Sequence, residues 1–402
     1  MGASKQRFEL KKMFNFDGFK FFESWDEGEH ILIELIRTKK TGNCPKCGTR
    51  CSHIKDRCKR RIRDLDIVNS KTMIGFEEYK IECSCGYSGV EKLSFVNKFS
   101  RFTKRFEYKS AILCKVMTIK DVANEMKLDW TTVKRIDKLY LKRFFVDLKY
   151  LNPKRIGIDE IAYEKGHKYL TVVRDVDKNK GIWAGIGRKK DTIDKFFIKL
   201  GKRKSQQIHV AVMDMWDPYI KSVLENTKSD IVFDKFHIAK KINEAVDKVR
   251  RKEFTKADEQ ERKRMKKKRF LILARQKRLD DSKRESLFDL LDINKQLYSA
   301  YLIKEQALDI FDEKNPDSAM KRLKKWFRNV AETGIEQFEP VLKTIKRYLY
   351  GIKNYFKHQL TNAASEGFNN KINVIKRKAY GFRDLEYFML KIYQSCGWKS
   401  ST

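Results

Sequence analysis

Two acidic residues lie in apolar stretches that are predicted to form β-strands. Asp159 lies within the isoleucine-rich segment 156–161, and Asp214 ends the run HVAVMD. A buried carboxylate is costly unless a cation holds it, and no Lys or Arg lies beside Asp159 in its own strand. Because Mg²⁺ binds carboxylate oxygens, both residues are candidate metal ligands.

Neighbouring acids compete with these two candidates. Glu160 follows Asp159, but successive side chains of a strand alternate between faces, so only one of the two is expected to point at a given site. Asp217 lies close to Asp214 and precedes Pro218, a pair that typically begins a helix. Asp217 is therefore expected to cap a helix, which leaves Asp214 as the candidate ligand.

Three further charged or titratable residues lie later in the chain. Asp234 ends the run DIVFD, and His237 begins the segment that follows, where it can donate to a phosphate oxygen, cap the helix or bond Asp234. Glu366 belongs to a predicted helix and shares one stripe with three polar residues, Asn370, Asn373 and Arg377. A Glu on such a stripe is usually only exposed, so its significance depends on the other acids.

The elements that must position these acids are predicted from hydrophobic periodicity. From about residue 151 the pattern predicts three strands and then a helix, at 156–161, 169–173, 181–186 and 191–200. Two short strands that end at Asp214 and Asp234 follow, and residues from about 240 to 355 have only helical periodicity with many Lys and Arg. This basic helical insertion is expected either to contact DNA or to be a solvated spacer.

Three strands, a helix, two acid-terminated strands and a late helix give the order of a ribonuclease H-like domain. In that order Asp159, Asp214 and Glu366 can converge on one cleft. Three neighbouring carboxylates repel one another and need cations. Two Mg²⁺ ions about 3.5–4 Å apart would match them and would flank a phosphoryl displacement.

Four cysteines in the N-terminal part are spaced as metal ligands. Cys44 and Cys47 form CPKCG, and Cys83 and Cys85 form CSCG. Two such knuckles bind one tetrahedral Zn²⁺ in a zinc ribbon. The CxC spacing is less usual, and three nearby residues are alternative ligands, namely Cys51, His53 and Cys58. Reduced thiols without a metal are the other interpretation.

Residues 118–137 predict a helix, a tight turn and a second helix. Ala123 suits a close helix crossing, and Lys127 occupies the turn position that usually carries Gly. Either Asp129 or Thr131 can cap the second helix. The outward residues of that helix would then reach DNA, and these are Thr132, Lys134, Arg135 and Lys138. A helical hairpin without DNA contacts is the alternative, and the charge of the chain favours DNA binding.

The charge of the whole chain predicts a polyanionic partner. The 402 residues carry a net charge of +36, from 90 basic and 54 acidic side chains, which is typical of nucleic-acid binding. Aromatic and β-branched residues exclude a disordered basic chain. The sequence has no apolar run long enough for a membrane span and no signal sequence, so a soluble, cytoplasmic, nucleoid-associated protein is expected.

Seven stretches of the sequence resemble one protein family. They are IGIDEIAYEKGHKYLTVVRD, AVMDMWDPYI, IVFDKFHIAKKINEAVD, TNAASEGFNNKINVIKRKAYGFRDLEYF, CPKCG, RIRDL and DWTTVKRID. Together they closely resemble the ISL-three (ISL3) family of bacterial insertion-sequence transposases. The resemblance covers most of the chain, and its motifs are specific. One departure is the CSCG knuckle, where a longer spacing is expected.

The resemblance implies a DDE transposase that cleaves and transfers DNA strands with Mg²⁺ or Mn²⁺. The family's acidic triad falls on Asp159, Asp214 and Glu366. Asp234 and His237 match a DxxH element of related eukaryotic transposases, whose His is thought to lie near the scissile phosphate. The implied partners are double-stranded DNA, at terminal inverted repeats and target sites, and a second copy on paired ends. A catalytically silent, domesticated regulator is the alternative, which the presence of all three acids disfavours.

The implied architecture is multidomain α/β. A zinc ribbon over residues 1–100 and a helix-turn-helix over 101–150 precede a ribonuclease H-like catalytic core that begins at 151–238. A helical insertion over 239–358 interrupts this core. Residues 359–402 complete it with the helices that carry Glu366 and Arg377, and Arg377 is expected to face DNA.

Overall fold

The computed structural model describes residues 10–143, 148–164, 166–360 and 363–396, without the side chains of residues 10, 11, 149 and 363–366. The chain divides into two compact units, Met1–Phe144 and Phe145–Thr402. Among the described helices, none is both long and apolar enough to cross a membrane.

Within its described residues, the first unit contains a five-stranded sheet and a separate two-stranded hairpin. The strands are β1 (Phe19–Asp26), β2 (His30–Arg37), β3 (Gly42–Asn43), β4 (Arg50–Cys51), β5 (Ile54–Ile67), β6 (Ser70–Glu82) and β7 (Ser88–Val90). The sheet order is β1-β2-β6-β5, with β7 also paired to β6. Phe19, Ile74, Phe76 and Phe95 pack in its core. The turns after β3 and β6 carry the four paired cysteines.

Three helices follow this sheet, α1 (Lys104–Val116), α2 (Ile119–Glu125) and α3 (Trp130–Arg143). The α2 helix begins with a capping box, in which Thr118 and Asp121 satisfy each other's backbone N–H groups. In the turn, Lys127 has a φ of +50°, the left-handed conformation that favours Gly. Asp129 accepts the N–H of Thr132 at 2.9 Å and thereby caps α3. The predicted helix, turn and helix are therefore present, with Asp129 as the cap.

The second unit contains a five-stranded sheet within its described residues. The elements up to its last strand are β8 (Arg155–Glu164), β9 (Lys168–Asp175), β10 (Lys180–Ile186), α4 (Lys190–Leu200), α5 (Lys202–Ser205), β11 (Val210–Met213), α6 (Asp217–Asn226) and β12 (Asp230–Phe233). The order is β10-β9-β8-β11-β12. β9 is antiparallel to both neighbours, whereas β8, β11 and β12 are parallel. The predicted strands and the helix after them are all present.

The chain between β12 and residue 358 is helical, as predicted. Its helices are α7 (Lys235–Lys256), α8 (Glu259–Met265), α9 (Arg269–Leu273), α10 (Asp281–Leu291), α11 (Lys295–Ile310), α12 (Pro316–Glu332), α13 (Glu339–Arg347) and α14 (Leu349–His358). They share one apolar cluster, in which Trp326 and Phe338 are buried, and Val212 and Val232 of the sheet join it. This helical cluster therefore packs on one face of β11 and β12.

Two further helices, α15 (Ala363–Lys378) and α16 (Leu385–Cys396), pack on the antiparallel half of the sheet. Phe368 and Ile372 of α15 are buried with Leu170 and Val172 of β9. Gly181 of β10 leaves room for the Phe368 ring, because a Cβ at Gly181 would lie 2.5 Å from that ring. The absence of a side chain at Gly181 therefore allows α15 to pack close to β10.

Candidate functional site

The register of the parallel strands brings three acids to one edge of the sheet. β8 pairs with β11 through Gly157 and Val212, which lie two residues before Asp159 and Asp214. β11 and β12 are paired to their last residues, immediately before Asp214 and Asp234. The carboxyl ends of parallel strands meet at one edge of a sheet. Asp159, Asp214 and Asp234 therefore lie side by side.

His237 contacts two of these acids from the first turn of α7. Its Nε2 lies 2.8 Å from a carboxylate oxygen of Asp214, and its Nδ1 lies 3.7 Å from Asp234. The hydrogen bond to Asp214 and the nearby carboxylate of Asp234 raise the pKa of His237 to about 10. Asp234 also caps α7 by accepting the N–H of Phe236 at 3.1 Å. The ring of His237 is therefore held against Asp214 and does not cap the helix.

The carboxylate of Asp159 lies in a site that disfavours its ionised form. Burial and the nearby charge of Asp214 raise the pKa of Asp159 to about 6. Two donors oppose this shift: the side-chain amide of Asn369 at 2.8 Å and the backbone N–H of Glu160 at 2.8 Å. A cation bound at this place would favour the ionised carboxylate and would oppose the rise in the pKa of Asp159.

A cation lies near Asp159 on the neighbouring strand, although no Lys or Arg lies beside Asp159 in its own strand. Arg174 of β9 is 3% exposed and pairs with Gly157 across the sheet. Burial lowers the pKa of Arg174, while Asp159 and Asp234 act in the opposite direction. A Cβ at Gly157 would lie 2.8 Å from Nε of Arg174, so Gly157 makes room for the guanidinium. Arg174 offsets part of the negative charge of the site.

Asp159 and Asp214, but not Asp234, line a cavity of about 230 Å³ together with His237 and Lys241. Contrary to the expectation from strand alternation, Glu160 lines it as well as Asp159. The pairing of β8 with β11 ends at Gly157 and Val212, so no paired strand covers this edge of β8 at Asp159 and Glu160, and both residues line the cavity. Among the described residues, one carboxylate oxygen of Asp214 and one of Glu160 are buried without a hydrogen-bond partner. Such oxygens fit a hard divalent cation.

The predicted stripe on the late helix is only partly described. Glu366 is on α15, but its side chain lies outside the described residues. Asn369, which lies off the predicted stripe, reaches Asp159 from this helix. Asn370 and Arg377 are exposed. The amide that contacts the site is therefore one residue away from the predicted stripe.

Asp217 does not cap a helix with its side chain, contrary to the prediction. Trp216 is the N-cap of α6, and no side chain caps that helix terminus. The Asp217 carboxylate instead accepts from Arg347 and from the hydroxyl of Tyr348, both at 2.8 Å. Asp217 therefore links α6 to the helical cluster, and Asp214 remains at the cavity.

The four predicted zinc ligands come together in the first unit. The ligand atoms of Cys44, Cys47, Cys83 and Cys85 all lie within 4.8 Å of one another. The Sγ atoms of Cys44 and Cys85 are 3.7 Å apart, and those of Cys47 and Cys83 are 3.5 Å apart. Four sulfurs at 2.3 Å from a tetrahedral Zn²⁺ would be about 3.8 Å apart. The cluster therefore fits zinc.

The alternative zinc ligands lie outside this group of four. Cys51 is buried near the cluster, whereas Cys58 is exposed on β5. His53 is exposed and lies 3.4 Å from Glu82. Both cysteines of the CxC pair therefore belong to the cluster, and none of the three alternative ligands takes the place of either.

The proposed DNA-reading helix α3 has one buried side. Val133 and Ile136 pack in the core of the three-helix group, with Ala123 of α2. Arg135 is exposed, and the other predicted DNA-binding residues, Thr132, Lys134 and Lys138, are half-buried. The exposed side of α3 ends in Lys142 and Arg143. The basic character of this side suits phosphate contacts.

Three family models match consecutive parts of the chain. Residues 40–85 match the zinc-finger of transposase IS204/IS1001/IS1096/IS1165, residues 91–141 match the helix-turn-helix domain of transposase family ISL3, and residues 156–392 match its transposase model. The transposase for insertion sequence element IS1001 of Bordetella parapertussis is 31% identical over 372 residues, which cover 91% of this chain and 92% of the relative. The transposase for IS1557 of Mycobacterium tuberculosis is 26% identical, over 90% of this chain and 88% of that relative.

Proposed function

Because the chain belongs to transposase family ISL3, we propose that it binds the ends of its insertion sequence and catalyses metal-dependent DNA cleavage and strand transfer. The chain is a transposase of insertion sequence elements, and its helix-turn-helix domain implies DNA binding. The observation that carries the proposal is the edge of the sheet where Asp159 and Asp214 meet under α15.

The proposed catalytic domain is ribonuclease H-like. The order β10-β9-β8-β11-β12, with β9 antiparallel and α15 packed on the sheet, supports this assignment. Residues 151–238 and 359–402 would form the core, and 239–358 would be the insertion. A zinc ribbon over 1–100 and a helix-turn-helix over 101–150 would complete the chain.

The proposed metal ligands are Asp159, Asp214 and Glu366, with two Mg²⁺ or Mn²⁺ ions as the cofactor. The unpartnered oxygen of Asp214 and the burial of Asp159 support this set. Glu366 lies three residues before Asn369, a spacing at which residues of a helix are neighbours on one face. When bound, such ions stabilise the attacking and leaving oxygens of phosphoryl transfer.

The residues around the triad have proposed supporting roles. Asn369 orients the carboxylate of Asp159 through its 2.8 Å hydrogen bond, and Arg174 limits the repulsion between acids. His237, with Asp234, would donate to an oxygen of the scissile phosphate. Its contact with Asp214 supports this role, because it places the ring at the cavity. His237→Ala should therefore slow cleavage while the protein still binds DNA.

The proposed DNA contacts are divided between the two units. In the helix-turn-helix, Thr132, Lys134, Arg135 and Lys138 would face the terminal repeats, and Arg377 would contact DNA beside the core. Target DNA would enter the cavity that Asp159 and Asp214 line. Two copies of the protein would act on paired element ends, in the bacterial cytoplasm at the nucleoid. The net charge of +36 supports a partner as large as DNA.

The test is cleavage of a duplex that carries the element's end, with Mg²⁺, with Mn²⁺ and with a chelator. Asp159→Asn, Asp214→Asn and Glu366→Gln remove a negative ligand with little change of shape. Each should lower the cleavage rate by about a thousandfold or more, because residues that act as a unit fail together. Binding to the duplex should persist, since loss of a carboxylate lessens repulsion of phosphate.

The matched control for the triad is Asp230→Asn. Asp230 is the first residue of β12, whereas Asp234 follows the last residue of the same strand. The carboxylate of Asp230 binds Lys357 and His358. This variant should cleave at the wild-type rate. Substantial cleavage by a folded triad variant would remove that residue from the site. Wild-type protein that binds the ends but never cleaves them with either metal would favour the silent regulator.

A further inference from the structure

A second cavity adjoins the one that the acids line. Its volume is about 630 Å³, and Trp216 forms part of the lining of both cavities. Tyr169, Arg188, Lys189 and Lys221 also line it. Its size is typical of cavities that bury a small molecule or a nucleotide. A nucleotide next to one in the acidic cavity could therefore reach this second cavity.

Arg188 connects the two cavities. Its guanidinium carbon lies 4.3 Å from the centre of the Tyr169 ring and 4.8 Å from that of Trp216. Its Nη1 lies 3.3 Å from a carboxylate oxygen of Glu160 at the acidic cavity. The indole N–H of Trp216 donates to the backbone oxygen of Arg188 at 3.0 Å. These contacts hold the indole in place while 37% of Trp216 remains exposed.

The charge around this cavity favours an anion. Lys189 and Lys221 are exposed at its rim, and the acid that lines it, Asp217, already binds Arg347 and Tyr348. The α4 and α6 helices both begin at this cavity, and neither terminus has a side-chain cap. The dipoles of these helices add partial positive charge at their N-termini.

We infer that this cavity binds one unpaired nucleotide of the DNA strand next to the cleavage site. The inference rests on the proposed function, because it assumes that DNA occupies the acidic cavity. Bases in a duplex have their faces covered by stacking, so the exposed part of Trp216 could stack only with a base outside the duplex. The base would stack on Trp216 beside Arg188, and its phosphate would bind Lys189 and Lys221. Duplex backbone alone would use the lysines but not the indole.

The experiment measures cleavage of end duplexes in which one nucleotide at a time near the junction is replaced by an abasic site. On the fully paired duplex, Trp216→Ala should be slower than wild type by about tenfold to a hundredfold, the usual value of one stacked base. One abasic position should restore its rate, because no base then needs stacking. Trp216→Phe keeps an aromatic face and should stay near the wild-type rate.

Lys221→Ala covers the case in which Trp216→Ala fails to fold. Lys221 is exposed, and its loss should slow cleavage of every duplex, abasic or not, because the phosphate contact does not depend on the base. Lys228→Ala is the matched control, since Lys228 is exposed just beyond α6 and outside the cavity. It should cleave at the wild-type rate.

The outcomes separate this inference from the proposed function. If Trp216→Ala and Lys221→Ala both cleave at the wild-type rate, the nucleotide site is overturned and the proposed function stands. Slow cleavage by Trp216→Ala without rescue at any abasic position also overturns it. Absence of wild-type cleavage with Mg²⁺ and Mn²⁺ overturns the proposed function and this inference together.

Discussion

The contact between Gly181 and Phe368 provides a test of how the late helix completes the site. A Cβ at Gly181 would lie 2.5 Å from Cζ of Phe368, whereas ordinary contacts begin at 3.4 Å. In Gly181→Ala the ring must therefore retreat by about 1 Å. Phe368 is 6% exposed and anchors α15, so Asn369 and Glu366 on that helix would move with it.

The expected effect on cleavage exceeds the effect on stability. Overpacking a core costs about 1–3 kcal/mol, which lowers the Tm by several degrees and leaves the protein folded. A misplacement of about 1 Å at a reacting centre can cost about a hundredfold in rate. We expect Gly181→Ala to bind end DNA normally and to cleave it about a hundredfold more slowly.

Two variants make the result decisive. Gly367→Ala is the control, because Gly367 lies on the same helix and an added Cβ there meets nothing within 4 Å. It should keep the wild-type rate. Phe368→Leu combined with Gly181→Ala removes the clash and should recover much of the lost rate. Wild-type cleavage by Gly181→Ala alone would refute the idea that the position of α15 controls the site.

Two further predictions concern the first unit. Cys44→Ser should lose bound zinc in elemental analysis, whereas Cys58→Ser should keep it, because Cys58 is exposed on β5 outside the cluster; a metal-free wild-type protein with a folded first unit would contradict this. Arg135→Ala should weaken binding to end DNA by about 1–3 kcal/mol, and it should relax the sequence preference if Arg135 contacts a base. Lys115→Ala on α1 should bind like the wild type. If Arg135→Ala also binds end and random duplexes as tightly as the wild type does, α3 has only a structural role.

Local patterns were sufficient to predict the strands and the acids that end them. Asp159, Asp214 and Asp234 each interrupt or end an apolar run, and apolar runs of this length form buried strands. Parallel pairing then aligns the acids at one edge, with Gly157 opposite Val212 and Met213 opposite Phe233. The CxxC and CxC pairs were equally local, and their cysteines meet as expected.

Contacts between distant segments were not predictable from local patterns. The predicted polar stripe on α15 begins at Glu366 and does not include Asn369. Burial of Phe368 and Ile372 on the sheet fixes the rotation of α15, and Asn369 then contacts Asp159. Asp217 precedes Pro218 and fits a capping rule, yet Arg347 provides a stronger, charged partner from 130 positions away. Neither contact leaves a signal within a short window of sequence.

The separation of Asp159 and Asn369 along the chain has a consequence for the newly made protein. These residues share a hydrogen bond across 210 positions, and ribosomes add about 5–20 residues each second. The strand with Asp159 therefore waits about 10–40 seconds for its partner on α15. Units fold as they emerge, so the helix-turn-helix is complete well before this contact forms. A nascent chain thus acquires its DNA-binding surface first, and the cavity at the sheet edge gains its α15 contact only later in synthesis.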